Sequence, residues 1–174
     1  MDLFEKKDIE NLIDLFALKL DAEGIEGSIS IVGGAALSLA YITDRYATTD
    51  IDATFPVHPR ITEIIQEIAL EQNLAQTWIN DAVKAYVPFE TVPMWVDFKK
   101  IGNIQIRIGS AEFLLAMKLK ADRGFRDRPD IAALIKLCGL TSLEEIEDLY
   151  GRYQHQEILS GRTKEFLCQV LREK

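Results

Sequence analysis

Histidine and cysteine are scarce in this chain, with two of each among 174 residues. His58 and His155 have no partner at ligand spacing, so histidine-centred zinc sites and histidine general bases are not expected. Cys138 and Cys168 lie far apart and fit no metal-ligand spacing; the expectation is two reduced, packed thiols. No apolar run approaches the roughly 18 residues of a membrane-spanning helix. The segment Met1-Asp2-Leu3-Phe4-Glu5-Lys6 has no basic stretch leading into an apolar one, so a cytoplasmic protein without a membrane association is expected. Basic residues are outnumbered too. Twenty Lys and Arg against 28 Asp and Glu give a formal charge of −8, and general DNA binding, which needs clustered cations, is not expected. A small basic site on an acidic protein can still take a triphosphate when a divalent metal carries part of the charge.

What is present is an alternation of helix and strand patterns. Ile9, Leu12, Ile13, Phe16 and Leu20 recur at helical spacing, predicting an amphipathic helix from about Leu3 to Asp21 that Gly24 and Gly27 end. Ser28 to Val32 is a short buried-strand signal. After Gly33-Gly34, Ala35 to Ile42 reads as a small-residue helix. A second strand is predicted from Asp50 to Phe55. Pro59 suits the first turn of a helix carrying Ile61, Ile64, Ile65 and Ile68. Met94 to Phe98 and Ile104 to Ile108 both alternate around Gly102-Asn103, an antiparallel pair with a short loop. Ser110 is placed to cap the next helix, Asp127 with Pro129 and Asp130 to start another, and Thr141 with Glu144 to form a capping box. The result is an α+β chain: a small mixed β-sheet with flanking helices and a C-terminal helical part. The expected division is a core over residues 1–124 and helices over 125–174, with the boundary near Gly124.

Two carboxylates, Asp50 and Asp52, stand two apart on the second predicted strand, so both project to one side while Ile51 faces the core. Like charges this close repel unless a cation lies between them, and hard oxygen ligands suit Mg²⁺, which keeps waters and shares its sphere with phosphates. Gly33-Gly34, at the end of the preceding strand, lets backbone approach a ligand and opens a helix whose first N–H groups favour phosphate. Either feature alone is commonly just a solvated pair or a tight turn; their order and proximity to strands make a metal–nucleotide site the better reading.

On these residues the chain resembles the nucleotidyltransferase superfamily typified by DNA polymerase beta, and more narrowly the AbiEii-like and related bacterial nucleotidyltransferases. Four ordered motifs carry the resemblance: Gly33-Gly34-Ala35-Ala36-Leu37, Asp50-Ile51-Asp52, Leu114-Leu115-Ala116-Met117-Lys118 and Arg126-Asp127-Arg128-Pro129-Asp130, over about residues 28–140. The resemblance implies the nucleotidyltransferase fold and a Mg²⁺ (or Mn²⁺) held by Asp50, Asp52 and a third acid. Asp97, flanked by apolar residues in Met94-Trp95-Val96-Asp97-Phe98, is the choice for that acid, with a second role in deprotonating the attacking hydroxyl; Glu90 is the fallback. Gly33, Gly34 and Thr49 would contact phosphates, and Lys118 would neutralise the triphosphate. Position 35 holds Ala where many relatives have a hydroxyl residue.

The implied activity is transfer of a nucleoside monophosphate from an NTP to a hydroxyl of a protein, RNA or small-molecule acceptor, and the resemblance also suggests a toxin–antitoxin system with a partner protein. The alternative is a catalytically inactive protein of the same fold that binds a nucleotide or partner. An Asp-x-Asp glycosyltransferase leaves the glycine turn unexplained and needs a longer donor domain. Arg45 can pair with a site carboxylate or a phosphate, but the better reading is that it orders its loop; Trp78-Ile79-Asn80-Asp81 can line a cleft for the base, with covering the core the better reading.

Overall fold

The computed structural model describes residues 3–43, 45, 47–85, 94–121, 126–155 and 157–172. Their α-helices and strands pack into two compact units, residues 1–87 with 95–109 and residues 88–94 with 110–174.

The first unit is built on a five-stranded mixed sheet. Its strands are β1 (Gly27–Ile31), β2 (Ile51–Thr54), β3 (Ile79–Asn80), β4 (Trp95–Ile101) and β5 (Ile104–Gly109), in the spatial order β3-β2-β1-β5-β4. β1 runs antiparallel to β2 and parallel to β5; β4 and β5 form the expected antiparallel hairpin. The hairpin turns at Gly102, whose φ of +53° is the left-handed region that glycine enters without a Cβ penalty. The Asp21 carboxylate braces this turn by accepting from the Asn103 N–H at 2.8 Å.

Alternation decides the two faces of the sheet. Ile29 and Ile31 on β1, Ile51 and Ala53 on β2, and Ile104, Ile106 and Ile108 on β5 are buried on one face. The helices α1 (Lys6–Ala22), α2 (Gly33–Ala40) and α3 (Ile61–Glu71) complete this unit. α1 buries Ile9, Leu12, Ile13, Phe16, Ala17 and Leu20, the i, i+3, i+4, i+7 stripe legible in its sequence. Phe16 meets Phe55 and Trp78 edge-on, at centroid distances of 5.8 and 6.1 Å, and the Trp78 indole N–H donates to the Ile65 carbonyl at 3.1 Å. Trp78 is thus part of the core, as expected of its tetrapeptide.

α3 begins later than Pro59 suggests. Pro59 sits in a turn, Arg60 is the N-cap and Ile61 the first helical residue. A surface network replaces a side-chain cap: Arg60 pairs with Glu23, Glu63 and Glu67, while Lys19 pairs with Glu67 and Glu71.

The second unit contains α4 (Ala111–Ala121), α5 (Arg128–Leu137), α6 (Leu143–Tyr153) and α7 (Gly161–Arg172). Ser110 caps α4 through the Phe113 N–H. α4 packs with α5 and α6, and Gly109 and Ser110 fall in different units; the expected boundary residue, Gly124, lies outside the described residues. The capping box of α6 is one residue later than Thr141 and Glu144. Ser142 Oγ accepts from the Glu145 N–H at 3.2 Å, and Glu145 Oε2 accepts from the Ser142 and Thr141 N–H groups at 3.1 and 2.6 Å. Among the described residues no helix is long and apolar enough to cross a membrane.

Candidate functional site

β1 delivers the chain to a turn at Val32, and α2 starts immediately with Gly33 and Gly34 as its first two residues. Gly33 has φ +63°, where an L side chain is strained. A Cβ there would lie 2.7 Å from Asp52 Oδ2. The glycine is thus needed twice, for its backbone angle and for the carboxylate resting against it. A Cβ on Gly34 would lie 3.0 Å from the Arg45 guanidinium nitrogens and 3.0 Å from Thr48 Oγ1. The first turn of α2 consequently has an acid on one side and a cation with a hydroxyl on the other. Its leading N–H groups have no carbonyl one turn back to bond to. Ala35 is fully buried, so position 35 packs into the core and a hydroxyl there would not face this turn.

Asp52 is the second residue of β2 and Asp50 directly precedes the strand. Both are half-buried while Ile51 and Ala53 are fully buried, so the alternation expected of this stretch is present. The Val32 N–H donates to the Asp52 carbonyl at 2.9 Å, which fixes the glycine turn beside the acid. Asp50 is oriented at both oxygens: Thr49 Oγ1 donates to Oδ1 at 3.3 Å and Asn80 Nδ2 to Oδ2 at 3.2 Å. Thr48 Oγ1 donates to the Asp50 carbonyl at 3.2 Å. The backbone of Thr48 forms an isolated bridge with Phe4 through paired bonds of 2.7 and 3.1 Å, anchoring the loop to the segment before α1.

Of the expected site residues, Gly33, Gly34, Thr49, Asp50 and Asp52 therefore come together. Thr49 contacts Asp50 directly. Asp97 does not join them. It lies on β4, at the opposite edge from β3, and its side chain is 74% exposed and pairs with Arg107 Nε at 3.3 Å. Pairing register aligns Thr54, Ser30, Arg107 and Asp97 in one row across four strands. Three strand spacings of about 4.8 Å separate the first from the last. Asp97 shares the sheet face of Asp52 but stands about 14 Å away across the strands, too far to ligate the same ion. The sequence signal that pointed to it, a carboxylate between apolar neighbours on a strand, carries no information about strand order. The fallback, Glu90, lies outside the described residues. Among the described residues no group of three or more His, Cys, Asp and Glu side chains is placed to hold a metal.

Lys118 lies on α4 in the second unit, donating to Asp127 Oδ1 at 2.6 Å and to Asp130 Oδ2 at 2.8 Å. Asp127 is the N-cap of α5 and Asp130 is in its first turn, as expected, but the Asp127 side chain makes no cap hydrogen bond. Its carboxylate goes to Lys118 instead. The three side chains are 14, 5 and 10% exposed, so the lysine and both acids form a buried charge cluster. Lys120, two residues on, points elsewhere, to Gln154 and Glu157.

Two contributors were not singled out for the site by the sequence: Asn80, which orients Asp50, and Thr48 beside Gly34; Arg45, whose pairing with a phosphate or site carboxylate was one reading of the sequence, lies against Gly34.

The donor set available is two carboxylates, Asp52 on β2 and Asp50 just before it, beside a helix start. These are hard oxygen ligands too few to enclose an ion, which suits Mg²⁺ completing its shell with water and phosphate oxygens. No curated protein and no solved structure matches the chain. Residues 9–169 match the family described as "Nucleotidyltransferase of unknown function (DUF6036)". That match covers nearly the whole length, including the glycine turn, the aspartate pair and the buried lysine cluster, and the chain belongs to this nucleotidyltransferase family.

Proposed function

We propose that the protein transfers a nucleoside monophosphate from an NTP to an acceptor hydroxyl, with the triphosphate seated at the first turn of α2. The observation that carries this reading is the packing of that turn: the Asp52 carboxylate against Gly33, and the Arg45 guanidinium and Thr48 hydroxyl against Gly34. Phosphate oxygens find N–H groups, a guanidinium and the positive end of a helix dipole there. Asp50 and Asp52 would hold Mg²⁺ (or Mn²⁺), which supplies charge neutralisation for the phosphates. Thr49 and Asn80 keep the Asp50 carboxylate aimed, so little reorganisation is needed when substrate arrives. In the reaction the acceptor oxygen bonds to the α-phosphorus as the bond to the bridging oxygen breaks; pyrophosphate departs and the hydroxyl proton passes to water.

The resemblance to AbiEii-like proteins makes protein and RNA acceptors, and a toxin–antitoxin partner, the first to try. The test incubates the protein with each α-labelled NTP, Mg²⁺ or Mn²⁺ and candidate acceptors, beside an Asp50→Ala/Asp52→Ala variant. Label transfer by the wild type alone supports the reading, and equal transfer by the variant sinks the assigned site. One observation favours the second reading, a non-catalytic nucleotide or partner binder: Asp97 is held by Arg107, away from the aspartate pair. Nucleotide binding without transfer to any acceptor would select it.

A further inference from the structure

The sheet face that carries Asp52 has a charge pattern that the nucleotide reading leaves unused. Register places Asn80 beside Asp52, and Thr54, Ser30 and Arg107 in the adjoining row. These side chains share one face because paired residues do so in both parallel and antiparallel ladders. The β2 end of this face is acidic. The β5–β4 end carries two cations, Arg107 and, two residues along on the same face and paired with Gln105, Lys100, beside one acid, Asp97. Ser30, between the two ends, is buried.

The Arg107 side chain is 41% exposed. Its Nε is shielded from solvent and makes no hydrogen bond; Asp97 Oδ1 lies 3.3 Å away as an ion pair only. Asp97 is itself mostly exposed, so water screens the pair and holds it weakly. A planar guanidinium fork matches a phosphate better than a single carboxylate oxygen does.

We propose that Arg107 is the anion-binding element of an acceptor subsite on this face, and that the acceptor is a hydroxyl compound carrying its own phosphate group. The proposal rests on the reading of Asp50 and Asp52 as the metal–nucleotide end. Two strand spacings across and two residues along put the Cα of Arg107 roughly 12 Å from that of Asp52. An acceptor whose hydroxyl faces the aspartates thus presents its phosphate to Arg107, across Thr54 and Ser30. Asp97 is a positioning residue: it holds the guanidinium on this face and is displaced from it when phosphate binds.

The test uses the full chain and two titrations by calorimetry. The first adds α,β-methylene-ATP with Mg²⁺ to wild type, Arg107→Gln and Asp97→Asn. The second adds the dinucleotide ApA, or inorganic phosphate, to each protein saturated with that analogue. The expected result is unchanged analogue affinity in all three, ApA binding weakened at least tenfold by Arg107→Gln, and ApA binding tightened about threefold by Asp97→Asn, which removes the competing carboxylate. A role for the Arg107–Asp97 pair in stability alone predicts that both variants move ApA binding the same way, and that result overturns the proposal. So does ApA binding indifferent to Arg107→Gln, or phosphate alone binding as tightly as ApA, which would mark a free-anion site. Failure of wild type to bind the analogue overturns the nucleotide reading and the acceptor role with it. Analogue binding with Arg107-independent ApA binding overturns the subsite alone.

Discussion

Replacing Gly33 by alanine separates the backbone demands of the glycine turn from its role beside the acid. Gly33 has φ +63°, and a Cβ would stand 2.7 Å from Asp52 Oδ2 and 3.5 Å from Asp52 Cβ. The left-handed angle costs an L residue about 1–2 kcal/mol. Gly24 isolates that term, since it has φ +72° in the same unit and an added methyl there would meet nothing within 4 Å; Gly24→Ala should lose about 1–2 kcal/mol. Gly33→Ala loses this and more. The clash is with the end of a short side chain, so the Asp52 carboxylate swings away, off its preferred rotamer, adding about 0.5–1.5 kcal/mol. Total destabilisation of roughly 1.5–3.5 kcal/mol is therefore expected, readable as a lower urea midpoint at unchanged slope. Binding is affected as well. Moving Asp52 would withdraw one of the two carboxylates proposed to hold the metal, and calorimetry with Mg²⁺ and α,β-methylene-ATP should show at least a tenfold loss, about 1.4 kcal/mol. Gly24→Ala should bind as wild type does. The reasoning is refuted if the two variants lose equal stability and Gly33→Ala keeps its nucleotide affinity.

Lys118→Met should destabilise the protein by about 3–5 kcal/mol, because it leaves Asp127 and Asp130 buried without their cation; Lys120→Met, whose acidic partner Glu157 is about half exposed, should cost under about 1 kcal/mol in the same urea titration. A Lys118→Met loss as small as the control would refute a buried charge cluster. Glu145 has its carboxyl held below the ordinary 4.5, first by the Thr141 N–H, then by the Thr141 hydroxyl and the Ser142 N–H. Its capping contribution is therefore present above pH 4.5 and lost as pH falls through the lower folded value. Thermal melts should show Glu145→Gln less stable than wild type near neutrality, with the gap closing in acid. Burial pushes the Cys138 thiol up to about 11 from 9.0, so its thiolate fraction at pH 8 is about 100-fold below that of an ordinary thiol. Alkylation with iodoacetamide followed by peptide mass spectrometry should find it correspondingly slow, and a rate near that of free cysteine would contradict the packing.

The elements were legible where local pattern and packing agree. α1 carries its buried stripe at helical spacing, the β4–β5 hairpin turns where Gly102 allows positive φ, and Asp127 and Ser110 stand where helices start. Misplacements were local. The capping box is shifted to Ser142 and Glu145, since Thr141 and Ser142 both qualify as caps and only the geometry of the turn chooses between them. Pro59 precedes α3 rather than entering it, because Arg60 ties the helix start to Glu23 from outside the helix.

The sequence by itself determined the near half of the candidate site: Gly33-Gly34 and Asp50-Ile51-Asp52 are each a few residues long, and the two-residue period of a strand is enough to put both carboxylates on one side. The tertiary structure decided what surrounds them. Strand order is set by long-range pairing, which no local pattern encodes, and it places β1 and β5 between Asp52 and Asp97 while bringing Asn80 from β3 to Asp50. Lys118 follows the same rule. Its helix was legible, but only the packing of α4 on α5 shows that its charge is answered by Asp127 and Asp130 inside the protein.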